Sequence, residues 1–316
     1  MPNKSLSPRL ARRQMWLLLV LALLLYAVVP QLGNFKASLQ LLSHPQLRPS
    51  LLAVGAIAMS YFAAAGTYCL LAFHGLAYRT TLLMQLASMF VNRLLPAGVG
   101  ALGMNYLYLR RQRHNSAEAG AVVATNNLMG LIGHSLLVAV TFLASGQHWP
   151  ALSGSNYSRG WAWKFAILVG VLMVIALSRP GWRQKGLKSL ARLSGQLWRY
   201  HQRPFTLLGA LVTSMLVTLC TVGSLWLCLQ ALEVQLSFLT VLLIFTAALS
   251  VGTVTPTPGG LGGLEAALVA GLVAYHVASA PALAAVLLYR LLTYWLSLVV
   301  GGLAFAEIRR RQLVKI

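Results

Sequence analysis

A succession of apolar stretches, most of them close to bilayer-crossing length and one (Glu265 to Tyr275) too short to cross, constrains this sequence more than any other feature. They run Met15 to Val29, Leu51 to Phe73, Thr80 to Leu95, Ala117 to Ala144, Trp161 to Ser178, Phe205 to Ala231, Ser237 to Thr255, Glu265 to Tyr275 and Pro281 to Ala306. A helix rises about 1.5 Å per residue, so roughly 20 apolar residues cross a hydrocarbon core of about 30 Å. Of the 316 residues, 58% are hydrophobic and 9% charged, too little charge to cover a soluble surface. Backbone polar groups inside lipid must be satisfied within the segment, and segments this long do so as helices. The expected class is therefore an all-α polytopic membrane protein, one integral domain over residues 1–316.

The charge balance is lopsided, at +21, with 25 Lys and Arg against four acidic residues, all Glu. In a soluble chain this would point to nucleic acid. Here the basic residues lie between the apolar stretches, which instead implies orientation in the membrane and contact with anionic inner-leaflet lipids, with no nucleic-acid partner. Lys4, Arg9, Arg12 and Arg13 precede the first stretch, and Arg79 follows the second. Arg110, Arg111 and Arg113 come later, seven basic residues fill 179–204, and Arg309, Arg310, Arg311 and Lys315 close the chain. One topology puts all of these in the cytoplasm, with both termini inside a bacterial inner membrane. It needs about six full crossings plus two segments that turn back within the membrane. The first stretch follows basic residues like a secretory leader but lacks a small-x-small cleavage pattern, and reads as a retained helix.

The two turning segments coincide with glycine-rich breaks. Pro96-Ala-Gly-Val-Gly-Ala-Leu-Gly aligns without a gap on Pro258-Gly-Gly-Leu-Gly-Gly-Leu-Glu. Each break follows two apolar helices and precedes a long one, giving repeats of about 15–144 and 161–306. The topology orients them oppositely, the inverted-repeat pattern of secondary transporters. The alternative is two ordinary helices kinked by Pro and Gly.

A break frees backbone N–H and C=O groups, and a half-helix starting just after it presents spare N–H donors and a partial positive charge. Pro96, Gly98, Gly100, Pro258, Gly259, Gly260 and Gly262 are therefore candidate substrate-binding positions, with an anion such as a lipid phosphate the matching ligand. An arginine inside a span is costly and faces a cavity or a partner. Arg93, beside Asn92, and Arg290, beside Tyr289, have two readings: they grip a headgroup phosphate, or Arg290 pairs with Glu265 structurally. Glu265 is also placed to cap its half-helix. Asn126, Asn127 and His134 interrupt the helix after the first break, and Asn127 sits nearly opposite Arg290 in the repeat, so the two could line one cavity. Tyr106 and Tyr108, followed by Arg110 and Arg111, read as interfacial anchors.

No catalytic constellation is present. The four Glu are scattered, there is no G-x-S-x-G or H-E-x-x-H, and Pro258-Gly-Gly-Leu-Gly-Gly lacks the Lys-Ser/Thr of a phosphate-binding loop. Cys69, Cys220 and Cys228 lie in apolar runs without metal or redox spacing. The expectation is no enzyme, no metal and no cofactor.

The run from Pro258 through Leu268, with Ala-Ala-Val-Leu-Leu-Tyr-Arg290-Leu-Leu-Thr-Tyr-Trp295, resembles the C-terminal signature of the lysylphosphatidylglycerol synthase transmembrane-region family, and Asn92-Arg-Leu-Leu-Pro-Ala-Gly-Val-Gly resembles its earlier motif. The resemblance implies a flippase-like domain that moves lipids between leaflets, here in the stand-alone form without the soluble synthase. The expected partner is thus a membrane phospholipid or a polyprenyl-phosphate lipid, with self-association into a homo-oligomer left open. The alternatives are a small-solute or ion transporter, or a non-transporting membrane partner of a lipid or cell-envelope enzyme.

Overall fold

The computed structural model describes residues 35–95, 99–145, 198–200, 202–255, 257–311 and 313. Among them every regular element is helical. In chain order these are α1 (Phe35–Leu42), α2 (Leu47–Leu71), α3 (Tyr78–Leu94), α4 (Val99–Arg111), α5 (Ser116–Ser145), α6 (Pro204–Ala231), α7 (Phe238–Val254), α8 (Gly263–Ala274) and α9 (Ser279–Arg290). A π-helical turn, Leu291–Leu296, carries α9 without interruption into α10 (Ser297–Arg310). Among the described residues three stretches are both long and apolar enough to cross a membrane: α2 with 25 residues, α6 with 28 and the continuous Ser279–Arg310 with 32. Helix α5 has 30 residues, ample in length.

Local chemistry sets several boundaries. Pro204 opens α6 at a position where a missing N–H costs nothing. The Ser237 hydroxyl accepts from Thr240 N–H to start α7. At α5, Asn115 Oδ1 accepts from Glu118 N–H while Glu118 Oε2 accepts from Asn115 N–H, a reciprocal capping box. Sequence reading treats Glu118 as isolated; the box accounts for it.

The helices pack through small residues and short hydrogen bonds, as helices in lipid must. Helices α2 and α6 make the most extensive contact, bridged by Thr67 Oγ1 donating to Thr213 Oγ1 at 2.9 Å. Helices α3 and α4 form one hairpin, α7 and α8 another. Helix α3 also lies along α10, while α7 meets α5, so each hairpin touches the closing helix of the other half. Gly301 permits the first of these approaches: a Cβ there would stand 2.7 Å from the Leu86 carbonyl oxygen. The main apolar core joins α6 to α9, with Leu225, Leu229, Phe245, Leu268 and Val286 buried in it.

The stretch after the first break is the 13-residue helix α4. One expectation is corrected. Tyr108, on that helix, is buried and hydrogen-bonded to Thr81 at 3.0 Å rather than anchoring at an interface. The lipid-facing pattern of Tyr106 to Arg111 hides this, because an amphipathic half-helix packed on α3 has the same polarity profile as an interfacial one. The stretches Met15 to Val29 and Trp161 to Ser178, with nearly all of the basic loop, lie outside the described residues.

Candidate functional site

The second break is built around a carboxylate and two guanidinium groups. After α7 the chain makes a 3-10 turn, Pro258–Gly260, with Gly259, Gly260 and Gly262 all at positive φ. Gly259 is required twice over. Its φ is 63°, and a Cβ would lie 2.6 Å from the Tyr294 ring and 3.2 Å from Arg93 Cδ. Glu265, in the first turn of α8, reaches back to accept from Gly262 N–H at 2.8 Å, and so caps the half-helix. Its other oxygen accepts from Arg290 Nε, and Arg290 Nη2 donates to the Gly259 carbonyl at 3.2 Å. The Arg290 side chain is 5% exposed and that of Glu265 18%. Arg290 thus ties the last long helix to the break itself, as the structural reading of the sequence holds.

Arg93 comes to the same place from the other half of the chain. Its Nη2 donates to the Thr293 carbonyl at 2.8 Å, within the π-helical turn, where backbone bonding is rearranged. Its Nε is buried and has no hydrogen-bond partner among the described residues. The Arg93 and Arg290 guanidinium carbons lie 5.2 and 5.0 Å from the centre of the Tyr294 ring. Two guanidinium groups against the single Glu265 carboxylate leave one positive charge in excess. An apolar groove of about 260 Å³ adjoins the π-helical turn, lined by Tyr61, Leu82, Leu86, Leu292 and Leu296, with Tyr61 hydroxyl bonded to Ser297 Oγ at 2.8 Å.

The asparagines stand elsewhere. Asn126, Asn127 and His134 line a larger cavity of about 530 Å³, together with Thr67 and Tyr68 of α2, Gln85 and Ser88 of α3, Asn105 of α4, and Ser214 and Thr218 of α6. Arg290 does not line it, so Asn127 and Arg290 do not share one cavity. The near-symmetry of their sequence positions misleads because the Arg290 side chain turns to Glu265. Asn92 bridges towards the cavity side: its Oδ1 accepts from Ala101 N–H at 3.4 Å, and Ala101 lines the cavity wall. Gly100 holds the first break tight, since a Cβ there would stand 2.6 Å from the Val91 carbonyl oxygen. Tyr289 is buried, with its ring edge-on to Phe245 in the core. Pro96 and Gly98 lie outside the described residues, as does the Pro258 side chain.

Sequence reasoning passed over Gln85, Ser88, Asn105, Ser214 and Thr218. Their signal was present but weak: Gln85 and Ser88 share a face at a spacing of three, as do Asn126 and His134 at a spacing of eight. Such residues also serve simply to bond neighbouring helices. Only the fold shows that five helices turn them towards one space.

Two comparisons bear on the family. The family model described as the lysylphosphatidylglycerol synthase TM region matches residues 15–301, both breaks included. The inner membrane protein YbhN of Escherichia coli (strain K12) is 26% identical over 308 residues, covering 94% of this chain and 92% of that protein. The chain is a membrane protein of the lysylphosphatidylglycerol synthase TM region family.

Proposed function

We propose that this protein is a lipid translocator of the inner membrane, a transporter rather than an enzyme, that moves a phosphate-containing lipid between leaflets. The observation that carries the reading is the excess positive charge of the Arg93–Arg290–Glu265 cluster. A buried charge is costly unless it is paired, and an unbonded Arg93 Nε beside it offers a donor to an incoming anion. A lipid phosphate supplies that anion, and the apolar groove alongside suits an acyl chain. The uncharged cavity gives a headgroup a polar place within the protein, and its volume falls in the range of ligand pockets.

Movement follows from the repeat. The aligned breaks, the pairing of α2 with α6, and the reciprocal contacts of α3 with α10 and α7 with α5 support an inverted repeat. Rocking one half against the other would expose the site to each leaflet in turn, the lipid favouring whichever state binds it better. In this reading the hairpins α3–α4 and α7–α8 are re-entrant. The termini and the basic loop face the cytoplasm, where anionic inner-leaflet lipids hold them.

The test is reconstitution into vesicles carrying trace labelled lipids, among them phosphatidic acid, phosphatidylglycerol, phosphatidylethanolamine and a polyprenyl phosphate. At least one phosphate-bearing lipid is expected to change leaflets faster than in protein-free vesicles. Folded protein that accelerates none of them overturns the proposal.

A further inference from the structure

Resting on that reading, we infer that the 530 Å³ cavity between α2, α3, α4, α5 and α6 receives an uncharged polyol, the glycerol or sugar portion of a lipid headgroup.

The first ground is the composition of the wall. Among the described residues, none that lines the cavity is Lys, Arg, Asp or Glu. A phosphate held there would lack a cation. An ammonium, such as an aminoacyl or ethanolamine group, would lack a carboxylate. Either charge, moved out of water into such a site, meets a desolvation penalty that neutral dipoles offset poorly. A hydroxylated neutral group carries no such penalty, and needs only hydrogen bonds.

The second ground is which hydrogen bonds remain on offer. Several donors in the wall are already engaged inside the protein. Gln85 Nε2 donates to Asn105 Oδ1 at 2.9 Å, Asn105 Nδ2 to the Ala101 carbonyl at 2.9 Å, and Asn127 Nδ2 to the Val123 carbonyl at 2.7 Å. The hydroxyls of Ser88 and Thr218 donate to the carbonyls of Gln85 and Ser214. These groups retain acceptor capacity at Gln85 Oε1, Asn127 Oδ1 and the hydroxyl oxygens, beside one further N–H on each amide, so the wall asks for a partner that both donates and accepts. Phosphate has only acceptors to give, whereas polyol hydroxyls donate and then accept in turn. Asn126, His134 and Ser214 add groups able to do either, and Asn127, exposed at the rim, leaves the opening polar.

The third ground is rigidity. Gln85, Ser88, Asn105 and Thr67 are 4%, 1%, 3% and 1% exposed, and each is held by a neighbour. A wall fixed in this way discriminates by hydrogen bonding, because a ligand lacking the hydroxyl leaves buried polar groups without partners.

The experiment compares two lipids of equal charge and equal chains, phosphatidylglycerol and phosphatidylmethanol, in the same proteoliposomes. Phosphatidylinositol is a second hydroxyl-rich probe and lysyl-phosphatidylglycerol a cationic one; free glycerol and free glucose test uptake of unattached polyols. Phosphatidylglycerol and phosphatidylinositol are expected to move about tenfold faster than phosphatidylmethanol, the yield of one or two neutral hydrogen bonds. Lysyl-phosphatidylglycerol should gain nothing over phosphatidylglycerol. Asn127→Leu and Ser214→Ala, separately, should bring the phosphatidylglycerol rate down towards the phosphatidylmethanol rate, so that the ratio of the two falls towards one. Thermal stabilisation of the folded protein by dioctanoyl-phosphatidylglycerol over dioctanoyl-phosphatidylmethanol reads the same preference without transport. Equal handling of the two lipids overturns the polyol assignment while lipid movement itself stands. Preference for the lysyl lipid overturns it in favour of an ammonium site. Uptake of free glycerol or glucose with no lipid movement overturns the translocator reading but keeps the polyol site.

Discussion

Arg93 and Arg290 lie against the same aromatic ring, yet their surroundings assign them different work. Arg290 is enclosed, and its bonds go to Glu265 and Gly259. Arg290→Met would strand the Glu265 carboxylate, and Glu265→Ala would leave two guanidinium groups with no counter-charge. Each is expected to cost about 3 kcal/mol or more, read as a lower melting temperature in detergent. The double variant should recover part of that loss, giving a clear coupling energy in a double-mutant cycle. Arg93 is a different case, because its removal relieves a like-charge neighbour and forfeits one bond to Thr293. Arg93→Met should alter stability by no more than about 1 kcal/mol while lipid movement falls. If Arg93→Met unfolds the protein as Arg290→Met does, the division of roles is mistaken. Gly259→Ala forces a Cβ against Tyr294 at a positive φ and is expected to destabilise by about 1–3 kcal/mol. A Gly259→Ala protein melting with the wild type would remove the argument for that turn.

At the scale of elements, the apolar stretches foretell the helices closely. Phe205 to Ala231 becomes Pro204–Ala231, and Ser237 to Thr255 becomes Phe238–Val254, because long apolar runs in lipid have only one way to satisfy their backbone. The glycines of the breaks are legible too, since positive φ and close approach leave few substitutes. What sequence does not show is where a polar side chain turns within a span. Gln85 and Asn105 are distant in the chain and meet only because α3 and α4 fold back on each other. The π-helical turn after Arg290 is likewise invisible, as Leu291 to Leu296 reads like any helix. Gly301→Val should separate α10 from α3, driving a side chain into the Leu86 carbonyl, and lower the melting temperature; the same change at Gly223, with nothing within 4 Å, should not.

His114 pins the loop joining α4 to α5 against the loop joining α2 to α3. His114 Nε2 accepts from Phe73 and His74 N–H, while Nδ1 faces the Gln112 carbonyl. Burial holds its pKa below the usual 6.5, opposed in part by the Gln112 carbonyl and Glu118 and assisted by His74. With a depressed folded-state pKa, the stability it contributes is full above the unfolded value and is lost as pH falls through the folded one. Melting temperature should therefore decline below about pH 6.5, and His114→Gln should flatten that decline. An equally steep decline in His114→Gln would assign the effect to other groups.

The described helices form a bundle in which α3 of one hairpin packs on α10 and α7 of the other meets α5, with an excess charge at one break and a neutral cavity beside the other. The proposed reading puts a lipid's phosphate and its polyol in these two places and its chains in the apolar groove. Cysteines placed singly near each terminus and in 179–204 should react with an impermeant thiol reagent only once the cytoplasmic face is opened, if the inverted layout is right. The most direct measurement is the rate at which labelled phosphatidylglycerol leaves the outer leaflet of proteoliposomes containing wild-type protein or Arg93→Met at equal folded content. The predicted result is rapid movement with wild type and, with Arg93→Met, a rate about tenfold or more lower. Movement no faster than in protein-free vesicles, or a rate untouched by Arg93→Met, would contradict it.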